Sequence, residues 1–315
     1  MNRTIIRFTA LACWLIGMIH PLLADEAADL EKAFDKAATR LTNERCLLRY
    51  KFQAGEKITY RVEQLATVDT TISANNQQTK LRSVSVRTFE VDSVDDARNM
   101  TFRHVIDEVD LWSEVAGRQP VRYNSRTDAE APPEFENVRE MIGKPISIVT
   151  MNPRGIIVKR EDQLRQPNLG MGGLSIPLPE AEIPVGYKWA TPLDVRIRME
   201  DQTIKTIKTR ELYELKKVEA GIATIAIKTE VLTPVSDPKV KSQLVQRLST
   251  GEIRFDADAG RLESKQLDWD ETVIGFSGAD SNMKYLARFT EKLTPRGDDS
   301  PAAVTARQPA AAETK

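Results

Sequence analysis

Histidine and cysteine are nearly missing from this sequence of 315 residues, which holds two of each. Zinc sites of the H-E-x-x-H or Cys₂His₂ kind need at least two histidines, and structural zinc needs several thiolates. Aromatic residues make up 6%, too few for a platform that stacks single-stranded nucleic acid or sugars. Forty-five basic residues stand against 46 acidic ones, so there is no basic excess to steer a polyanion, which argues against a nucleic-acid partner. What is present is ordinary for a folded chain: 29% charged and 41% hydrophobic residues.

The N-terminus carries the layout of a secretory signal peptide. Arg3 and Arg7 precede an apolar run from Phe8 to Ile19, His20-Pro21 breaks it, and Leu22-Leu23-Ala24 stands before acidic Asp25. The run has twelve residues, short of the roughly 20 that span a bilayer as a helix. Cleavage after Ala24 is the expectation, with an uncleaved anchor as the alternative because Leu22 is larger than the A-x-A pattern prefers. Lipidation of Cys13 is set aside, since Trp14-Leu15-Ile16 would be left exposed behind it. The expected location is outside the cytoplasm: periplasm, cell envelope or beyond.

Loss of residues 1–24 removes Cys13 and His20, leaving Cys46 and His104 and no possible intrachain disulfide. A Ser-His-Asp or Cys-His arrangement would have to use His104, which lies in a strand-like stretch, Met100-Thr-Phe-Arg-His-Val-Ile; a satisfied structural histidine is the expectation. Cys46, at the edge of an apolar strand start, reads as a small buried hydrophobe.

Asp29 to Leu41 reads as a helix, with Leu30, Phe34, Ala37 and Leu41 on one face. From Leu47 the period changes to two. Ile58, Tyr60 and Val62 alternate with Thr59, Arg61 and Glu63, and Ala66, Val68 and Ile72 extend the pattern. Further strand-like runs cover 81–94, 100–112, 195–199, 222–231 and 283–289, separated by polar turns that favour antiparallel hairpins. Two short amphipathic helices interrupt them: 133–143, with Phe135, Val138 and Ile142 on one face, and 237–248, with Asp237 as N-cap and Val240, Leu244 and Leu248 as its stripe.

Each helix precedes a hairpin whose turn ends in glycine, Asn152-Pro-Arg-Gly155 and Asp256-Ala-Asp-Ala-Gly260. Pro133 and Pro238 are 105 residues apart, as are Gly155 and Gly260, which reads as an internal duplication. The expected organisation is a signal peptide (1–24), an N-terminal helical segment (25–46), a first β-rich unit (47–165), a breaker-rich linker (166–186), a second β-rich unit (187–294) and a disordered Pro/Ala-rich tail (295–315).

The opener Leu48-Arg-Tyr-Lys-Phe-Gln-Ala-Gly-Glu-Lys-Ile-Thr-Tyr, with the later Pro-Leu-Pro and Val-Gly-Tyr-Lys-Trp segments, resembles a group of uncharacterised exported bacterial β-rich proteins. The resemblance implies export and a β-rich fold, and it brings no activity or functional residues with it.

Candidate sites are few. Asp256-Ala-Asp-Ala-Gly260 looks like the start of a calcium loop, yet its twelfth position is Leu267 rather than glutamate, so a plain turn is the preferred reading. Gly170-Met-Gly-Gly173 lacks the strand-to-helix setting of a phosphate loop, and Gly143-Lys144 is followed by proline rather than Ser or Thr. Ser175 and Ser277 fail the G-x-S-x-G pattern, with Pro177 and Ala279 in its last place. Paired carboxylates remain as possible acid-base chemistry, best at Asp268-Trp-Asp-Glu271, where a strand would set Asp268 and Asp270 on one face and Trp269 on the other. Glu134, Glu136 and Glu140 read as acids near a helix start. The sequence therefore assigns no catalytic, cofactor-binding or metal residue and no cofactor. It points to a mainly β (α+β) exported protein of two related antiparallel units with one short helix each, most simply a binding, scaffold or envelope-associated protein. A carrier of an apolar ligand in a curved-sheet pocket and a carboxylate-based hydrolase are the alternatives.

Overall fold

The computed structural model describes residues 45–164, 173–199 and 201–294. The expected signal peptide, the helix predicted over Asp29–Leu41, the glycines Gly170 and Gly172 and the Pro/Ala-rich tail lie outside them.

Twelve antiparallel strands form one sheet. They are β1 (Lys57–Ile72), β2 (Asn75–Val94), β3 (Met100–Val115), β4 (Val121–Asn124), β5 (Pro145–Met151), β6 (Ile157–Asp162), β7 (Lys188–Arg198), β8 (Ile204–Glu219), β9 (Ile222–Val231), β10 (Thr250–Asp256), β11 (Arg261–Ile274) and β12 (Ser281–Leu293). Across the sheet they run β6-β5-β3-β2-β1-β12-β11-β10-β9-β8-β7, with β4 paired to β3. Two meanders thus meet where the last strand pairs with the first, from Ser281 opposite Ile72 to Leu293 opposite Tyr60.

The expected alternation decides which face each strand buries. Ile58, Tyr60 and Val62 are at most 2% exposed, and Phe89, Phe102, Phe255 and Phe289 join them in one core cluster drawn from strands of both meanders. β8 escapes a period-two reading because Thr209 and Glu211 occupy core-facing positions between Ile207 and Tyr213, so the apolar alternation breaks in mid-strand.

The sheet is rolled. Eleven strands side by side at about 4.8 Å would put β6 and β7 about 48 Å apart if flat. Instead the stretch 173–184 ties them together. The Leu178 amide donates to the Arg154 carbonyl (2.8 Å), Arg154 Nε donates to the Leu178 carbonyl (3.1 Å), and Trp189 Nε1 on β7 donates to the neighbouring Pro177 carbonyl (2.8 Å). The segment read as a linker has no periodicity, yet Ile176, Leu178 and Ile183 are at most 3% exposed and belong to the core.

An extended strap at residues 46–56 closes the same end. Leu48, Tyr50 and Phe52 point into the core, the Tyr50 amide donates to the Pro153 carbonyl, the Lys51 amide donates to the Gly260 carbonyl, and Arg261 pairs with the buried Glu56 at 2.7 Å.

Toward the opposite end the helices cover the inner face. A 3₁₀ turn at Pro133–Phe135 leads into α1 (Glu136–Arg139), a single turn and shorter than the pattern predicts. Its Val138, with Met141 just beyond, packs on Ile106, Val109 and Leu111 of β3. In α2 (Pro238–Leu244) the Asp237 side chain accepts from the Lys239 amide as the sequence predicts, and Val240 and Leu244 pack on Ile197 and Ile207. Both halves carry helix, strand, glycine turn and strand in the same order.

Candidate functional site

Between the two helices the inner face is formed by β1, β2, β11 and β12, and register fixes which side chains share it. Glu271 stands opposite Tyr285, which stands opposite Val68; Trp269 stands opposite Ala287, which stands opposite Ala66 and, beyond it, Leu81. The small Ala66 and Ala287 make this row low between Trp269 and Leu81, and the band of inward side chains along these strands is read as a trough.

Near the strap, most inward side chains of these strands are buried. At the far end cover is mixed: Tyr285, Val273 and Ser281 are at most 5% exposed, whereas Leu81 is 45% exposed and Ile72 39%, beside half-buried Val68, Met283 and Ala287.

The deep limit of the trough is ionic. Lys265 and Glu291, directly opposite in β11 and β12, approach to 2.7 Å with side chains 3% and 7% exposed. Lys265 Nζ donates to the Gly173 carbonyl at 3.0 Å and lies 5.3 Å from the Phe289 ring centre. The Glu291 contact is one of charge, without the alignment of a directed hydrogen bond. Above this pair, Glu271 is the only ionisable carboxylate among the inward positions of β1, β2, β11 and β12, and those positions hold no lysine or arginine. Burial, then the charge of Asp270, raises the pKa of Glu271. Burial pushes the Tyr285 phenol up to about 12. Trp269 is 4% exposed, and its indole Nε1 has no hydrogen-bond partner among the described residues.

The sequence candidates are placed as follows. Asp268 and Asp270 do share a face opposite Trp269, and it is the outer one: Asp268 accepts from Gln266 and from Arg288 (2.6 Å), and Asp270 is exposed. Asp256 Oδ1 accepts from the Asp258 and Ala259 amides, which makes that segment an Asx-type turn closed by Gly260 at φ +64°. Among the described residues, no three His, Cys, Asp or Glu side chains gather closely enough to hold a metal. Ser175 donates to the Gly155 carbonyl, and the Ser277 amide donates to the Ser281 hydroxyl oxygen. Glu134, Glu136 and Glu140 are exposed around α1.

His104 is 4% exposed and faces Ser147 in register across β3 and β5; both its ring nitrogens and the Ser147 hydroxyl lack hydrogen-bond partners among the described residues. The expected satisfied histidine is therefore buried without satisfaction. Burial, with Arg87 and Arg160 adding repulsion, depresses its pKa to about 3, so it is neutral in ordinary buffers. Cys46 is half-buried, and burial followed by the charges of Asp258 and Glu182 pushes its thiol up, away from the reactive thiolate. A separate polar recess of about 370 Å³, which no sequence motif announced, lies at the β3–β4 hairpin among Asp110, Arg122, Tyr123, Asn124, Thr127 and Asp128. Its acids are already engaged, Asp110 with Arg82 at 3.0 Å and Asp128 with the Asn124 amide at 2.7 Å.

No family model matches the chain, and no curated protein matches it. Among solved structures, one described as "lipid-protein interactions in lipovitellin" aligns over 81% of this chain at 12% identity with a TM-score of 0.43. The chain spans 27% of the length of that one.

Proposed function

We propose that this is an exported, non-enzymatic protein that binds and carries an apolar ligand in the trough of its rolled sheet. The observation that carries the reading is the contrast along single strands: most inward side chains are buried near the strap, while Leu81 and Ile72 on the same face remain 45% and 39% exposed. Folding gains about 25 cal/mol for each Å² of apolar surface removed from water. An inward face left wet between two helices is surface that a ligand would cover. Export rests on the signal-like N-terminus, and the two β-rich halves are read as products of one duplication, supported by the shared order of helix and glycine turn.

A neutral environment-sensitive dye, Nile red, tests the binding reading. Saturable, blue-shifted fluorescence is expected, weakened about tenfold in Leu81→Glu. Leu65→Glu is the control, because Leu65 is equally exposed, at 43%, on the outer face of β1. Equal effects of the two substitutions, or no saturable binding by the wild type, overturn the reading.

A further inference from the structure

We propose that the trough selects a neutral hydroxylated acyl ester, of the monoacylglycerol kind, with its ester carbonyl accepting from Trp269 Nε1 and a hydroxyl donating to Glu271. This rests on the apolar-carrier reading and names the ligand class for the same site.

Two polar groups stand in successive rows of the trough. The Trp269 side chain is buried in a strand core where a donor without an acceptor is costly, and no described residue supplies that acceptor. Glu271, two residues further along the same inward face, offers acceptor oxygens. A ligand head that satisfies both must present an acceptor to the indole and a donor to the carboxyl group. An ester carbonyl beside a free hydroxyl does so, and the acyl chain then has Ala66, Ala287, Val68 and Leu81 to lie against.

Charge removes the nearest competitors. A fatty-acid anion would bring its carboxylate toward Glu271 with no inward cation at that level, since Lys265 lies below the trough and is already paired with Glu291. An alkyl amine would suit Glu271 and leave the indole N–H unanswered.

The test uses the chain from Asp25 to Lys315 and follows displacement of Nile red by monooleoylglycerol, oleate and oleylamine in the wild type, Trp269→Phe and Glu271→Gln. Monooleoylglycerol should displace the dye about tenfold more tightly than either competitor. Trp269→Phe, which keeps a ring and removes the donor, should weaken monooleoylglycerol about tenfold more than it weakens the dye. Glu271→Gln should narrow the gap to oleate. Dye binding that persists while oleate or oleylamine competes as well as the ester, or while Trp269→Phe affects ester and dye equally, overturns the head-group assignment alone. Failure of the wild type to bind the dye overturns the carrier reading beneath it.

Discussion

Gly155 and Gly260, 105 residues apart in the chain, press against consecutive residues of one strap. Gly155 has φ +75°, and a Cβ there would meet the Ile176 carbonyl and lie 2.6 Å from Tyr50 Cε2. Gly260 has φ +64°, and its Cβ would lie 2.5 Å from Lys51 Cβ and 2.6 Å from the Lys51 amide nitrogen. The two hairpin turns thus hold the strap from both halves of the sheet. Left-handed strain alone costs an alanine about 1–2 kcal/mol, and the clash adds to it. Gly155→Ala and Gly260→Ala should each cost about 3 kcal/mol in urea unfolding. Gly55→Ala and Gly186→Ala, at φ +79° and +86° with nothing within 4 Å, should cost about 1 kcal/mol. Equal losses at all four would show that the close approach contributes nothing.

His104 should make the fold acid-sensitive. Its pKa is about 3 in the folded protein against 6.5 as a free side chain, so between these values the unfolded chain takes up a proton that the native protein refuses. Stability from this group is complete above about pH 6.5 and falls as the pH drops toward 3, by on the order of 5 kcal/mol in all. Subtracting the stability–pH curve of His104→Gln from that of the wild type isolates this contribution from the carboxylates. A difference curve flat from pH 7 to pH 4 would contradict the burial of a neutral imidazole.

The Lys265–Glu291 pair should be strongly non-additive. Lys265→Met takes the cation at 2.7 Å from the buried Glu291 carboxylate, with the charge of buried Arg87 still acting on it, and should cost about 3–5 kcal/mol, and Glu291→Leu, which strands Lys265, should cost a similar amount. The double substitution removes this pair from the core and should recover part of that loss. Urea midpoints for the four proteins complete the cycle; additive losses would mean that the two charges do not depend on each other.

The β1–β2 hairpin turns on Ser73 and Ala74, both left-handed at φ +46° and +67°. Two-residue turns of this kind favour Asn-Gly, which tolerates positive φ without the side-chain penalty. Ser73→Asn with Ala74→Gly should raise stability by about 1 kcal/mol, read as a higher melting temperature.

Local pattern made the antiparallel β-rich character and both helix positions legible, because Ile58, Tyr60 and Val62 or Val240 and Leu244 report the face they bury through spacing alone. It missed β8, where Thr209 and Glu211 interrupt the core face, and it gave α1 more length than Pro133–Arg139 takes. Ile176, Leu178 and Ile183 lie in a stretch without period, so only their tertiary contacts reveal that they are core. The candidate site was half visible. Trp269 opposite an aspartate pair could be read within one strand, whereas the row of Glu271, Tyr285 and Val68 exists only through pairings across β11, β12 and β1. No single-strand pattern encodes such a row.

The pairing of β12 with β1 also sets how this chain must fold. Tyr60 and Leu293 are register partners although 233 residues separate them, while most other ladders join strands adjacent in the chain. Each meander can assemble from short-range hairpins, and the seam between them has to wait for the slow meeting of distant segments. A circular permutant that joins Thr294 to Cys46 through a flexible linker and opens the chain between residues 165 and 172 keeps the described strand pairings while turning the seam into a local hairpin. It should reach the same fold with a refolding rate about tenfold or more above that of the natural order, which makes the position of the chain ends, rather than the sheet itself, the source of the delay.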